Sequence, residues 1–417
     1  MRFFIIFLII TNIFSIDATM EIIKNSEKLP YIIVEVNGKN NDLNSKLYKM
    51  LIADLKVSSH FNVVEVSGDD FINDKDIDYN FYSAKNINLI ARINSDSVSN
   101  SVVTTLMLYD VNMKNIALSK KYTIGQDSKY PFISHKIAVD INDYIKAPSI
   151  EWMNRSVVLS KYTKSEESVI LVADYTLTFQ NPIIKGGLNI FPKWGDKDQR
   201  TIYFTKYYDK PTLVKYNIYT GEMQKILSSD GMIVASDISK DESKLLLTMS
   251  PNGQPDIYLL NLKTSALDKL TNYNGIDVGA NFIDNEDSIM FVSDRLGYPN
   301  IFSLNLATRI VNQLAYNGRN NSSASAYSSY VVYSSRESDN EFGNNIFNLY
   351  LISTKSNYIR RLTANGINQM PRFSTDGDSI MFIKSTDNES SLGILRLNYN
   401  NSYLFPLTNE KIQAMDW

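Results

Sequence analysis

The sequence predicts an α+β domain at the N-terminus, followed by an all-β six-bladed β-propeller that the C-terminal strand closes. Two observations carry this prediction. Short apolar strands recur with a period near 45 residues from residue 156 onward, whereas residues 19–147 mix strands with two amphipathic helices. Four short strands repeated at this spacing are typical of propeller blades. Two domains are also the expected number for a chain of 417 residues.

The first 18 residues have the pattern of a secretory signal peptide. Arg2 precedes an apolar run over residues 3–10, which two polar residues then interrupt, so the run is too short for a membrane span. Cleavage near Ala18 would release an exported chain without a membrane span, which we expect to be a monomer. An uncleaved anchor is the alternative.

Residues 19–147 are predicted to form a small α/β domain with a mobile N-terminal tail, and residues 148–155 a linker. The predicted strands are Tyr31–Val36, Phe61–Val66, Ile87–Ile93 and Val102–Val111, and the predicted helices are Asp42–Val57, capped by Asp42, and one that begins at Pro131. This order favours helices on one face of a sheet. His135 lies about 200° around the second helix from its apolar stripe, which predicts a surface position. His60 has no acidic neighbour in sequence, so we predict a structural role for it.

The propeller prediction rests on the end of one recurring strand. This end is found at Trp194, Ile238, Phe282, Tyr327, Phe373 and Trp417, which are 44 to 46 residues apart. A polar turn and three further apolar runs follow each of these ends where chain remains, so residues 156–417 divide into six units. The last strand, Ile412–Trp417, has no strands after it, and the runs 156–162 and 168–175 have no first strand before them. We therefore predict that the C-terminal strand completes the first blade and that Trp417 packs between blades.

Antiparallel topology also assigns loops to faces. In a four-stranded blade, the loop between the second and third strands lies at the same end as the loop that leads into the next blade. This rule places Asp294–Pro299 at one end together with Asp230–Ser236, Gly275–Gly279, Gly318–Ser323 and Gly366–Met370.

The composition excludes several kinds of partner and chemistry. The net charge is −3 without a basic stretch, so we expect no nucleic-acid partner. The absence of cysteine removes disulfides, thiolate metal ligands and a cysteine nucleophile. Only His60 and His135 could serve a zinc site or a serine–histidine–aspartate arrangement. We therefore expect no metal and no cofactor.

With the repeats assigned, the chain resembles the TolB family, the periplasmic propeller proteins of the Tol–Pal system. FVSDRLGYPNIF (291–302) is similar to the family segment FTSDRxGxPQIY, and RRLTANGINQMPRFSTDGDSIMF (360–382) to its RRLT and SPDG pattern. LIADLKVSSHFNVV (51–64) carries the ADL and FN elements of the family's first domain. The resemblance extends along nearly the whole chain.

The resemblance implies a non-catalytic periplasmic scaffold that supports outer-membrane integrity and constriction at cell division. It implies that the propeller face described above binds the lipoprotein Pal and that the N-terminal tail of the mature chain binds TolA. The candidate Pal-binding residues by position are Met232, Ala235, Asp277, Val278, Asp294, Arg295, Asn320 and Gln369. The candidate TolA-binding residues are Thr19, Met20, Glu21, Ile22 and Ile23, which could instead form the first strand of the domain.

Two other functions stay open at this point. One is a propeller that binds glycan or peptide outside any Tol complex, for which exposed aromatic residues such as Tyr298 would be the sign. The other is a propeller hydrolase or lyase. The sequence has no G-x-S-x-G motif, and both histidines lie outside the propeller, which argues against an enzyme.

Overall fold

A computed structural model of the chain describes residues 29–37, 41–65, 76–98, 101–337, 346–386, 389–407 and 410–417. The predicted signal peptide and the candidate tail residues 19–23 lie outside these ranges. Within the ranges, no helix combines the length and the apolar character that crossing a bilayer requires.

The N-terminal domain is a five-stranded sheet with three helices among the residues that the structure describes. Its elements are β1 (Tyr31–Asn37), α1 (Asn41–Ser58), β2 (Asn62–Val64), α2 (Tyr79–Ala84), β3 (Leu89–Val98), β4 (Ser101–Asp110), β5 (Asn115–Ile124) and α3 (Tyr130–Tyr144). The strand order is β2-β1-β3-β4-β5, in which β1 is parallel to β2 and β3 and the other pairs are antiparallel. The predicted strands and helices are confirmed, and α2 and β5 are additional. The prediction that helices lie on one face of the sheet is wrong for α2, which packs through Tyr82 on the face opposite α1 and α3.

Helix α1 forms because its apolar residues recur on one face. Leu47, Leu51 and Leu55 of this stripe are fully buried against the sheet. Asp42 was predicted to cap the helix, but it lies inside the first turn and pairs with Lys46 at 2.7 Å. A carboxylate in the first turn still favours the helix, because it faces the positive end of the helix dipole.

The propeller consists of short antiparallel strands. They are β6 (Val157–Lys164), β7 (Glu167–Ala173), β8 (Gln180–Ile184), β9 (Asn189–Trp194), β10 (Thr201–Tyr207), β11 (Pro211–Asn217), β12 (Met223–Ser228), β13 (Ile233–Ile238), β14 (Lys244–Met249), β15 (Asp256–Asn261), β16 (Leu267–Lys269), β17 (Asp277–Ile283), β18 (Ser288–Ser293), β19 (Asn300–Asn305), β20 (Val311–Gln313), β21 (Arg319–Tyr327), β22 (Tyr330–Arg336), β23 (Phe347–Ser353), β24 (Ile359–Arg361), β25 (Ile367–Phe373), β26 (Ser379–Ser385), β27 (Ser390–Arg396), β28 (Asn401–Leu407) and β29 (Ile412–Asp416).

These strands pair in four-stranded groups. Four sheets contain β9–β12, β13–β16, β17–β20 and β29 with β6–β8, and one sheet of eight strands contains β21–β28. In the described part of that sheet, β23 and β25 meet at a single parallel pair, Phe347 with Ile367. Within the described residues, the propeller therefore has six four-stranded groups but only five hydrogen-bonded sheets, because two groups share one sheet. The six-blade count stays a prediction.

The C-terminal strand closes the propeller, as predicted. β29 pairs antiparallel with β6, with Met415 opposite Leu159 and Asp416 opposite Val158. Trp417 is buried, and its ring lies 5.4 Å from that of Trp152, which belongs to the segment between the two domains. The last strand therefore contacts both the first blade and the domain junction.

The segment predicted as a linker is packed into the molecule. A short 3-10 turn occupies Glu151–Asn154, and both Trp152 and Met153 are fully buried. The ring of Trp152 also lies 5.3 Å from that of Tyr175. The apolar core of the N-terminal domain is continuous through Trp152 with that of the first and last blades.

Candidate partner-binding face

The loops that topology assigns to one end of the propeller are joined there by hydrogen bonds. The Ile276 N–H donates to Asp294 Oδ1 at 2.7 Å, and the Met232 N–H donates to Ser250 Oγ at 2.7 Å. Each bond links the loop that leads into a blade to the loop between the second and third strands of that blade. We call this end the open face. Its loops include residues 208–210, 229–232, 250–255, 270–276, 294–299, 314–318 and 362–366.

Asp277 and Arg295 form a fixed pair beneath this surface. Asp277 is fully buried, and Arg295 Nη2 donates to its carboxylate at 3.0 Å while Arg295 Nε donates to Ser293 Oγ at 2.9 Å. The guanidinium also lies 5.0 Å from the centre of the Phe302 ring and 5.1 Å from that of Tyr273. An arginine held by an ion pair and by aromatic faces loses little further freedom when a partner binds.

Asp277 occupies a position that buried asparagines take in other blades. Asn189 donates from Nδ2 to the Gly187 carbonyl at 3.1 Å, and Asn368 donates to the Asn365 carbonyl at 2.8 Å. Both side chains are buried at the start of an inner strand, as is Asp277. The two asparagines anchor the loop that leads into their blade, whereas Asp277 holds Arg295 in the loop between the second and third strands. A partner could therefore not contact the Asp277 carboxylate directly, and Asp277 would affect binding only by positioning Arg295.

The structure separates the predicted Pal-binding residues into two layers. Met232 is exposed, whereas Ala235, like Asp277, is buried and cannot present its side chain to a partner. Five others are half-buried at or just below the surface, namely Val278, Asp294, Arg295, Asn320 and Gln369. Strand β17 shifts register between Val278 and Asn281, and β25 shifts between Gln369 and Arg372. These bulges turn the start of each inner strand relative to the rest of the blade.

Several exposed apolar side chains at the open face were missed from the sequence. They are Tyr207, Tyr208, Ile276, Leu296 and Tyr316. A readable signal existed for two of them, because Ile276 and Leu296 are apolar residues inside polar, glycine-containing turns. Apolar side chains grouped at one end of a propeller mark a surface for protein contacts.

A cleft of about 1030 Å³ also opens at this face. Arg319, Tyr333, Tyr350 and Arg361 line it around Glu337. Glu337 accepts hydrogen bonds from Tyr350, Asn348 and Arg361, so its carboxylate is neutralised within the cleft. Arg319 lies over the Tyr298 ring at 5.8 Å, and the half-buried Tyr298 is therefore packed rather than free.

At the opposite end of the propeller, which we call the closed end, the N-terminal domain packs against the first and last blades. Tyr403 donates from its hydroxyl to the Lys56 carbonyl at 2.7 Å, and Asn401 Nδ2 donates to Ser59 Oγ at 3.0 Å. The loop between β7 and β8 contributes a second set of contacts through Asp174 and Tyr175. Both loops that touch the domain connect a third strand to a fourth strand, which is the end opposite the open face.

His135 is the centre of a buried polar network at the closed end, and its predicted surface position is wrong. His135, Asp54, Ser134, Asp174 and Tyr175 are all fully buried. His135 Nδ1 donates to Asp54 at 3.0 Å and Nε2 donates to Asp174 at 3.3 Å. Ser134 and Tyr175 donate to Asp54 at 2.6 and 2.5 Å. Helix α3 is packed between the sheet and the propeller, so the face opposite its apolar stripe is also buried.

The two aspartates keep His135 charged. Burial alone would lower the pKa of His135, but the carboxylates of Asp54 and Asp174 outweigh burial and raise this pKa to about 9. Burial would raise the pKa of Asp174, and the hydrogen bond and charge of His135 lower it instead. The imidazolium therefore joins the two domains as a buried ion pair on each side.

His60, at the same end, is neutral where His135 is charged. It is buried, and its Nδ1 donates to Asn142 Oδ1 while its Nε2 accepts from the Tyr399 hydroxyl at 2.6 Å. Burial, together with the nearby charge of Arg396, lowers the pKa of His60 to about 4. The predicted structural role fits this neutral ring, whose partners lie 82 and 339 residues away in sequence.

No group of histidine, aspartate and glutamate side chains suitable for a metal ion occurs among the described residues. Both histidines are engaged at the closed end, far in topology from the open face. The open face offers hydrogen bonds, a fixed charge at Arg295 and apolar contact area, all of which suit recognition of a partner.

Comparison with known proteins agrees with this architecture. A family model of the TolB amino-terminal domain matches residues 18–116, and one of the TolB beta propeller domain matches residues 155–417. The chain is 55% identical over 413 residues to the Tol-Pal system protein TolB of Wolinella succinogenes, with 98% of each chain covered. It is 50% identical to that of Helicobacter hepaticus over the full length of both chains.

A solved structure supports the fold independently. The crystal structure of TolB from Acinetobacter baumannii superposes with a TM-score of 0.76 at 19% identity, covering 93% of this chain and 96% of that one. Together these matches confirm the resemblance inferred from the repeats, and they replace the hydrolase and lyase alternatives with a non-catalytic family. The chain belongs to the TolB family of the Tol–Pal system.

Proposed function

We propose that the open face binds the lipoprotein Pal and that residues Thr19–Ile23 bind TolA. In this proposal the protein is a monomeric periplasmic scaffold. It supports outer-membrane integrity and constriction at cell division by binding these two partners. Both partners follow from membership of the Tol–Pal system rather than from a contact in this chain.

One observation supports the assignment of Pal to the open face. The two ends of the propeller are unequal, because the N-terminal domain occupies the first and last blades at the closed end, while the loops of the open face that the structure describes keep apolar and charged residues accessible. A stable interface needs about 800 Å² on each partner, which the loops of one propeller end can supply. The hydrogen bonds between these loops keep the surface preorganised, which lowers the entropic cost of binding.

Calorimetric titration with the soluble domain of Pal tests the proposal. Ile276→Ser at the open face is matched by Leu404→Ser on strand β28, because both side chains are 45% exposed. We expect Ile276→Ser to weaken Pal binding at least fivefold, as for a contact near the centre of an interface, and Leu404→Ser to leave it unchanged. Equal affinities for both variants and the unaltered chain would refute the assignment of Pal to this face.

The tail assignment needs a separate titration with the soluble domain of TolA. Deleting residues 19–23 should abolish TolA binding without lowering the melting temperature, because a segment that serves only a partner contributes nothing to the fold. A deletion that lowers both binding and stability would make these residues the first strand of the domain instead.

A second candidate function keeps some support from the open face. Tyr207, Tyr208 and Tyr316 are exposed there, and exposed tyrosines are also suited to stacking on sugars or peptides. Titration of glycan fragments and peptides into the same protein discriminates the two. Saturable binding of such a ligand, with no binding of Pal, would favour this candidate.

A further inference from the structure

The sheet of the N-terminal domain is covered unequally on its two faces. Helices α1 and α3 cover one face, where Leu51 and Ile137 are fully buried. Among the described residues of the domain, the other face carries only α2, which has six residues and buries Tyr82 against Ile33 and Ile90. One short helix cannot cover five strands, so apolar side chains on this face stay accessible to solvent.

Four exposed apolar residues are grouped around α2, and we call them the α2-face patch. They are Tyr31 (43% exposed), Phe81 (47%), Met113 (69%) and Ile116 (50%). Tyr31 faces the α2 side because side chains alternate along β1, in which Ile32 faces α1 and Ile33 faces α2. Ile116 lies opposite Tyr109, which packs with the α2 cluster.

The patch extends across the sheet on both sides of α2. Lys114 Nζ donates to Asn80 Oδ1 at 3.2 Å, which ties the turn that carries Met113 to the helix that carries Phe81. The strand order β1-β3-β4-β5 places Tyr31 and Ile116 three strand spacings apart, or about 14 Å. A grouping of this kind on a domain of modest size marks an interaction surface.

The position of the tail indicates which partner would occupy the patch. Leu29, the first described residue, is two positions before Tyr31, and its carbonyl accepts a hydrogen bond from Asn62 Nδ2 at 2.9 Å. Five residues separate Ile23 from Leu29, so a protein bound at Ile23 lies within about 20 Å of Leu29, beside the patch. A tether of this length gives a second contact an effective concentration in the millimolar range.

We propose that the α2-face patch is a second contact for the same protein that binds residues 19–23. This inference rests on the proposed function, in which that protein is TolA. The bound tail holds the partner over the patch, and the patch buries an apolar surface of the partner beside α2. Affinity then comes from two linked contacts rather than from the tail alone.

Titration of the soluble TolA domain into the full mature chain tests the inference with three variants. Phe81→Ser combined with Ile116→Ser removes the patch, and Met113→Ser alters only its most exposed member. Tyr219→Ser combined with Ile310→Ser, which removes exposed apolar side chains from the propeller, is the matched control. We expect the double patch variant to bind about tenfold more weakly, Met113→Ser to bind a few-fold more weakly, and the control to bind as the unaltered chain does.

The outcomes separate the inference from the proposed function. If the patch variants bind normally while deletion of residues 19–23 abolishes binding, the patch is not part of the interface and only this inference fails. If the unaltered chain does not bind TolA, both fail. If the patch variants lower the melting temperature and leave affinity unchanged, the patch serves the fold of the chain itself, and the inference is again overturned.

Discussion

Both ends of the propeller consist of loops between strands, but the loops at the two ends are stabilised differently. At the closed end, charged and polar side chains such as His135, Asp54 and Asp174 are fully buried and complete their hydrogen bonds across the domain boundary. At the open face, the polar side chains anchor neighbouring loops, and Ile276 and Leu296 are exposed. A buried charge is costly unless it is paired, whereas an exposed apolar side chain costs the free protein little.

This difference predicts how each end responds to substitution. Changes at the closed end should lower the free energy of unfolding, because they leave partners buried and unpaired. Changes at the open face should alter recognition and leave stability nearly constant.

The largest effect is expected from deleting residues 412–417, which removes the strand that closes the propeller. β6 would lose one of its two partner strands, and Trp152 would lose the ring of Trp417. Burial of one tryptophan alone contributes about 4–6 kcal/mol of transfer free energy, comparable to the total stability of many domains. We expect a protein that no longer unfolds cooperatively by circular dichroism, and an unchanged melting curve would contradict the closure.

The next largest effect is expected from Asp54→Ala. This change leaves His135, Ser134 and Tyr175 without the carboxylate that accepts their hydrogen bonds in a fully buried site. Loss of one member of a buried ion pair lowers the free energy of unfolding by about 3–5 kcal/mol, measurable by urea titration. Asp230→Ala is the control, because the Asp230–Lys210 pair is exposed and its loss should change the free energy of unfolding far less.

The pH dependence of unfolding should distinguish the two histidines of the closed end. The pKa of His135 is raised to about 9, so the stability it contributes is complete below pH 6.5 and is lost as the pH rises through 9. The pKa of His60 is lowered to about 4, so its contribution is complete above pH 6.5 and is lost as the pH falls through 4. A difference of one unit in pKa corresponds to about 1.4 kcal/mol, so the free energy of unfolding should fall by about 3 kcal/mol as His135 loses its proton at alkaline pH.

Denaturant titrations across pH 4–10 measure how the free energy of unfolding depends on pH, with an alkaline limb above pH 6.5 and an acidic limb below it. His135→Gln should flatten the alkaline limb, and His60→Gln should flatten the acidic limb, although each also lowers stability at neutral pH. If the alkaline limb persists in His135→Gln, then His135 is not the group whose charge joins the domains.

The sequence predicted the open face better than the closed end, and the reason is physical. Strand repeats depend on local alternation and turn residues, so the loops that share a face follow from the period of the chain. The partners of His135 come from α1 and from the β7–β8 loop, 81 and 39 residues away, and no local pattern encodes them. Helix α2 and strand β5 were not predicted from the sequence for a related reason. A six-residue helix and an edge strand that contains two lysines give weak periodic signals.

Asp277→Asn tests whether a buried residue at the open face serves stability, partner binding or both. Asparagine fits this position in other blades, as Asn189 and Asn368 show, so the strand should keep its register. Arg295 would lose the charge that fixes it, at a cost of about 1–2 kcal/mol in unfolding free energy. Pal binding should weaken in calorimetric titrations if Arg295 is a contact. Normal stability with normal binding would show that the pair serves neither purpose.

The smallest change in stability is expected from Gln369→Ala and Met232→Ala at the open face. Gln369 is half-buried on β25 and Met232 is exposed in a loop, so neither substitution leaves a cavity or an unpaired charge. Surface changes of this kind alter the free energy of unfolding by at most about 0.5 kcal/mol. Pal affinity should nevertheless fall, because interface energy is concentrated in a few central contacts. Urea titration and calorimetry on the same preparations measure both quantities. A loss of stability equal to the loss of affinity would erase the distinction between the two ends, since the open face would then depend on its surface residues for folding as the closed end depends on His135.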